Sequence, residues 1–221
     1  MMHHPFLLSL CLLITALPLF SQDWPSSKNT LLTFSVNSSA EILERLDTYE
    51  LTTEREKSLY NRYQDTLNAR LVRFAIPAAY ADLATADITL EPQNALEDQV
   101  TYGKDGLPSI LIPKQVIKRL TNNGYTTDHY FVIKISLEAN GMMAGVSKRV
   151  KPKVRCQIKV FNPEREVVKN IESEVLSADF IKSTEFPNLL FDKIGLDYIE
   201  MLQTRLEPLV LQAVEEAVGQ L

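Results

Sequence analysis

Apolar positions along this chain change period several times, and each change marks an element. Residues 31–36, LLTFSV, alternate, with Leu32, Phe34 and Val36 on one side, as a half-buried strand does. In NSSAEILERL, which follows, Ser38 or Ser39 can cap a short helix, with Glu41 in the first turn near the positive end of the helix dipole. Between 54 and 74 the spacing lengthens to three and four. Tyr60, Tyr63, Leu67, Leu71 and Phe74 form one stripe, while Arg55, Arg62, Asp65 and Arg70 lie mostly away from it, so an amphipathic helix is predicted. Pro77 should end or kink that helix, because its ring removes a backbone donor and clashes with the preceding turn. Residues 80–101 mix alanine with acids and predict a short helix followed by an irregular connection.

TYGKDGLP, at 101–108, is a turn by composition and divides a helical half from a β-rich half. Residues 113–121 predict a short helix closed at NNG, where Gly124 suits a left-handed cap. Three alternating runs come next. In 129–138, Phe131, Ile133, Ile135 and Leu137 share one face. In 153–161, Val154, Cys156, Ile158 and Val160 share one face, with Arg155, Gln157 and Lys159 opposite. In 167–176, Val167, Ile171 and Val175 point inward, interrupted by Lys169 and Ser173, which places that strand near an edge. Consecutive alternation with a turn at Asn162-Pro163-Glu164-Arg165 predicts an antiparallel meander with one wet face. From 188 to 220 the helical spacing returns through Leu190, Ile194, Tyr198, Leu202, Leu206, Leu209, Ala213 and Ala217, with Pro208 expected to kink or divide it. The expected fold is α+β: one domain over 22–221, with an antiparallel sheet of about four strands and amphipathic helices on one face.

The opening segment changes where that domain is expected to work. The apolar run at 6–17 is about a dozen residues, whereas a spanning helix needs roughly 20. With small Ser21 at its end it reads as a secretory signal peptide over 1–21, although MMHHPF holds no Lys or Arg. Cys11 lies mid-run, too early for a lipid-attachment site, so the expectation is export to a bacterial periplasm or beyond without a lipid anchor or a further membrane segment. Removal of 1–21 leaves Cys156 with no partner for an internal disulfide, so the core alone must hold the fold. An apolar fraction of 45% and a charged fraction of 23% are those of an ordinary globular chain. A formal charge of −5 argues against a general nucleic-acid binder, which needs a basic face for phosphates.

Candidate chemistry is sparse. There is no G-x-S-x-G, no H-E-x-x-H, no C-x-x-C and no phosphate-binding glycine loop. Asp128-His129 sets a carboxylate beside an imidazole, yet neighbours on a strand point to opposite faces, so a half-exposed polar histidine outweighs a general base. Cys156 falls on the apolar face, which favours an inert buried thiol over a nucleophile. No catalytic, cofactor or metal site is expected. SKRVKPKVRC packs Lys148, Arg149, Lys151, Lys153 and Arg155 into an acidic chain, and the adjoining Met142 and Met143 sit between Gly141 and Gly145. A solvated hairpin accounts for such a charge run. As a functional site, Met142, Met143, Lys148, Arg149, Lys151 and Lys153 form a candidate partner-binding loop, adaptable at its tip and basic at its flank.

QVIKRLTNNGYTTDHYFVIKISLE, followed by VRCQIKVFNPEREVV, resembles a recurrent periplasmic α/β domain. It is the type found in the curli-secretion lipoprotein, in lipoprotein activators of penicillin-binding proteins and at the N-terminus of the Tol-system β-propeller protein. The resemblance covers about 110–176 and carries no residue-specific role. It implies a non-enzymatic envelope protein that works through protein contacts. The partner expected is an envelope protein or an anionic envelope component. The alternative is a carrier, holding a lipid or other apolar ligand between the sheet and the C-terminal helix.

Overall fold

The computed structural model of the protein describes residues 27–39, 41–43, 54–91, 113–140, 149–182 and 195–221. Residues 1–21, the expected turn at 101–108, and Met142, Met143 and Lys148 lie outside the described residues. Strand β1 (Asn29–Ser38) is followed by helix α1 (Glu54–Thr85), β2 (Leu90–Glu91) and helix α2 (Pro113–Asn122). Strands β3 (His129–Asn140), β4 (Arg149–Phe161), β5 (Val167–Leu176) and β6 (Ile181–Lys182) precede helix α3 (Gly195–Val218). The strand order is β2-β1-β3-β4-β5, with β6 joined to the start of β4.

The β3–β4–β5 meander is antiparallel, as alternation predicts. β1 differs: it runs parallel to both β2 and β3, so the sheet is mixed. An extra residue in β1 also shifts its register. Leu31 pairs with Phe131 but Thr33 pairs with Val132, leaving Leu32 as a bulge. Leu31, Phe34 and Val36 therefore enter the main core, whereas Leu32 turns to the opposite face. This corrects the expected grouping of Leu32 with Phe34 and Val36. A second shift, where Val160 pairs with Lys169 and Phe161 with Val167, does the same to β5. Val168 packs against the core there and Val167 is 47% exposed, so its expected inward position is also corrected.

Two long helices cover the dry face. Along α1 the buried row is Leu67, Leu71, Ala75, Ala79 and Leu83, a step of four, with Tyr63 half-buried beside it. Along α3 it is Tyr198, Ile199, Leu202, Leu206, Val210, Ala213, Val214 and Ala217. Neither helix stops at its proline. Pro77 and Pro208 both lie on exposed positions inside continuous helices. A ring on the solvent side costs one hydrogen bond but leaves the buried row of each helix uninterrupted. What ends α1 is Asp87, at φ 59°, with Ile88 N donating to Leu83 O and Asp87 N to Ala84 O. That is a Schellman cap, and the buried pair Leu83 and Ile88 completes its apolar contact. Gly124, at φ 79°, closes α2 in the same way, with Tyr125 N donating to Leu120 O.

The second face has two halves. At the start of β1 and β3, helix α2 lays Ile117 and Leu120 over Leu32, Tyr130 and Phe161, making a small separate core. Among the described residues no helix lies over the remainder of that face. β1 is fastened at its far end by Ser38, whose N and Oγ donate to Asn68 Oδ1 at 2.9 and 2.8 Å and whose carbonyl accepts from Gln64 Nε2. Ser39 Oγ then accepts from Glu41 N at 3.3 Å, the expected cap of the short helix at 41–43.

Candidate functional site: the open face of the sheet

Strand alternation puts every second residue of β4 on the open face. Arg149, Lys151, Lys153, Arg155, Gln157 and Lys159 line up there, while Val150, Val154, Cys156, Ile158 and Val160 face the helices. Register sets their neighbours. Lys153 stands between Glu138 and Leu176, Arg155 between Ser136 and Glu174, and Gln157 between Lys134 and Glu172. Lys153 Nζ lies 3.1 Å from Glu138 Oε2 and 3.4 Å from Glu174 Oε2. Arg155 Nε lies 2.9 Å from Glu172 Oε1, and Nη2 donates to Glu174 Oε2 at 3.1 Å. Arg155 chiefly, with Lys153, holds the Glu174 carboxyl below its usual range. The middle of the open face is thus a charge ladder across three strands.

Its lower end is built differently. β6 returns antiparallel to the start of β4, pairing Arg149 with Lys182 and Val150 with Ile181. That return delivers Phe180 beneath the basic row. The Arg149 guanidinium lies 4.6 Å from the Phe180 ring centre and Lys151 Nζ 5.7 Å from it. Of the loop residues expected from sequence, the fold brings Arg149, Lys151 and Lys153 onto one surface. Phe180 and Lys182 could not be found by inspecting the charge run, because they lie about thirty residues downstream and only β6 carries them back.

The residues weighed for chemistry sit elsewhere. Cys156 is a free thiol, fully buried, and burial pushes its pKa up to about 12. His129 opens β3 with Nδ1 3.2 Å from Asn29 Oδ1, beside a dense set of hydrogen bonds that closes the parallel β1–β3 pair. Lys28 N donates to Asp128 Oδ2 at 2.7 Å, Lys28 O accepts from Thr127 Oγ at 2.6 Å, and Thr30 Oγ donates to Thr127 Oγ at 3.1 Å. The Asp128 carboxylate is therefore engaged with the Lys28 amide through Oδ2. Burial lowers the His129 pKa, with the Asp128 charge opposing it. A histidine with a depressed folded-state pKa leaves the unfolded chain binding more protons, so stability falls as pH drops below about 6.5. Urea unfolding between about pH 7 and 5.5 should show that loss, and His129→Gln should flatten it.

Among the described residues, no group of three His, Cys, Asp or Glu side chains could hold a metal ion. None of their helices is long and apolar enough to cross a membrane. A groove of about 290 Å³ lies between the β5–β6 connection and α3, lined by residues including Ser177, Asp179, Ile181, Arg205 and Pro208.

No protein-family model and no curated protein matches the sequence. Solved structures with a similar course include a neuraminyllactose-binding hemagglutinin homolog from Helicobacter pylori. It is 8% identical, over 86% of this chain and 85% of that one, with a TM-score of 0.33. A lipoprotein from Neisseria meningitidis is 10% identical over 58% of this chain and 81% of that one, with a TM-score of 0.27. Neither is one of the domains that 110–176 resembles.

Proposed function

We propose that the chain is an exported, non-catalytic binding module of a bacterial cell envelope, working through the open face of its sheet. One observation carries this reading, the charge of that face. Lys134, Arg149, Lys151, Lys153, Arg155 and Lys159 stand on it against Glu138, Glu172 and Glu174, in a chain of formal charge −5. An excess of the opposite sign is what an anionic partner would select. The two groups considered for chemistry support the same reading, since Cys156 is sealed in the core and His129 is tied to Asn29. Export rests on the apolar run at 6–17. The carrier alternative gains nothing from the sheet–α3 interface, where Ile158, Ile171, Val175, Leu202, Leu206 and Val210 are buried against one another.

Photo-cross-linking in the native cell envelope tests this directly. A photoreactive residue in place of Lys134 should give discrete adducts, and one in place of exposed Glu216 on α3 should not. Equal yields from the two positions would remove the open face as the working surface.

A further inference from the structure

We infer that the side of the molecule bearing α2 and the uncovered strands binds a carboxylate-bearing polysaccharide, held by Lys114 and Lys118 on α2 and by Lys134 and Lys159 on the sheet. This rests on the binding-module reading above and names its ligand class. Helix α2 lies on the face opposite α1 and α3, and its cover ends at half-buried Val132, which packs against the small core. Lys134 is the next residue of β3 on that face, and Lys159 stands across from Val132 on β4. The two lysines are diagonal neighbours, about 7–8 Å apart in backbone position. On the solvent side of α2, Lys114 and Lys118 stand one turn apart, both exposed.

These placements carry local costs. Lysines at i and i+4 repel, and Lys114 also sits at the positive end of a helix that holds no acidic residue. Conflicts of this kind collect at functional surfaces. None of the four lysines has a salt bridge or a side-chain hydrogen bond among the described residues. Lys153 and Arg155, farther along β4, are matched by Glu138, Glu172 and Glu174. Glu172 is diagonal to Lys159 but lies 2.9 Å from Arg155 Nε and is engaged there.

The groups around the sheet lysines select among anionic partners. Ser35 and Gln157 flank Lys134 across the strands, and Ser136 follows it along β3. Their side chains also make no hydrogen bond among the described residues, which leaves donors and acceptors for a ligand's hydroxyls. The exposed large apolar side chains among the described residues, Val167, Leu176 and Met201, are register neighbours of neither lysine. A folded protein partner or a bilayer would need such anchors beside the cations. A hydrated chain of sugar rings needs none. Lysines are compact point charges rather than planar forks, so they suit single carboxylates spaced along a polymer.

Titration calorimetry of the purified full chain with three polymers tests the inference. Polygalacturonate should bind, and its binding should weaken as salt is raised. Dextran, a sugar polymer without charge, should not bind. Polyglutamate, with one carboxylate per unit but no sugar, should bind about tenfold more weakly, the worth of two hydroxyl hydrogen bonds. The variants K134Q/K159Q and K114Q/K118Q should each lose about tenfold for polygalacturonate, at about threefold per exposed ion pair. S35A/S136A should weaken polygalacturonate binding with its salt dependence unchanged, and leave polyglutamate binding as it was. Polyglutamate binding as tight as polygalacturonate, full binding by either folded double-lysine variant, or no binding of polygalacturonate would each overturn the inference. In the last case, cross-links that persist from position 134 would leave the binding-module reading standing with a partner of another class.

Discussion

Replacing Phe131 with alanine should lower the free energy of unfolding by about 3–5 kcal/mol, the range for emptying a buried aromatic site. Phe131 lies on β3, hydrogen-bonded on both sides by β1 and β4, and its register partners are Leu31 and Val160. Its side chain is 0% exposed on the face that α1 and α3 cover. A cavity in that position cannot collapse easily, because paired strands fix the backbone on either side. Single domains have only about 5–15 kcal/mol of stability in hand, so the loss should move the urea midpoint far enough to read at once. Lys134→Ala, on the same strand but on the open face, should stay within about 0.5 kcal/mol. A Phe131→Ala loss below about 1 kcal/mol would mean that the two helices do not close on β3 as described.

Cys156 should be almost inert in the folded protein. A pKa near 12 against an ordinary value of about 8.5 reduces the thiolate at pH 8 by a factor on the order of 10³. Burial adds a steric barrier to that electronic one. Alkylation followed at the Cys156 peptide by mass spectrometry should therefore be at least about 10³-fold slower in buffer than in denaturant. Native labelling within tenfold of the unfolded rate would show that the β4–α3 interface opens readily. Such opening would also revive the thiol as a candidate for redox chemistry.

The parts of this fold legible from sequence are those set by strict local period. Phe131 to Leu137 and Val154 to Val160 alternate without interruption, so their faces and antiparallel pairing could be stated before any coordinates. The bulge in β1 escapes the same reasoning because LLTFSV begins with two leucines, and either could lead the inward set. Nor does alternation name a strand's neighbour, so the parallel union of β1 with β3 was hidden. Pro77 and Pro208 neither end nor divide their helices. The local rule counts the lost hydrogen bond but not the solvent-facing position of each ring. Along α3, Leu209 packs half-buried against the core as its spacing predicts, while Val210 and Val214, outside the expected row, are fully buried beside it. At the candidate surface, the cations of β4 were visible as a run and sorted by alternation. The ring beneath them and the glutamates that pair with Lys153 and Arg155 came from other strands.

The position of β1 in the sheet bears on how the chain can be delivered. Asn29 pairs with His129, and the two strands stay about a hundred residues apart in sequence along their whole register. A chain appearing from its first residue onward therefore carries β1 with only its two-residue pairing to β2 until β3 has also appeared. Contacts so distant in sequence form late, and the intermediate exposes the edge of β1 that β3 later covers. For a protein that folds where it is made, that delay is a hazard of aggregation. For one threaded through a membrane as an extended chain it is an advantage, because this pairing cannot lock before more than half the chain has crossed. The same connectivity makes an escort in the receiving compartment most useful during the interval between residues 38 and 129.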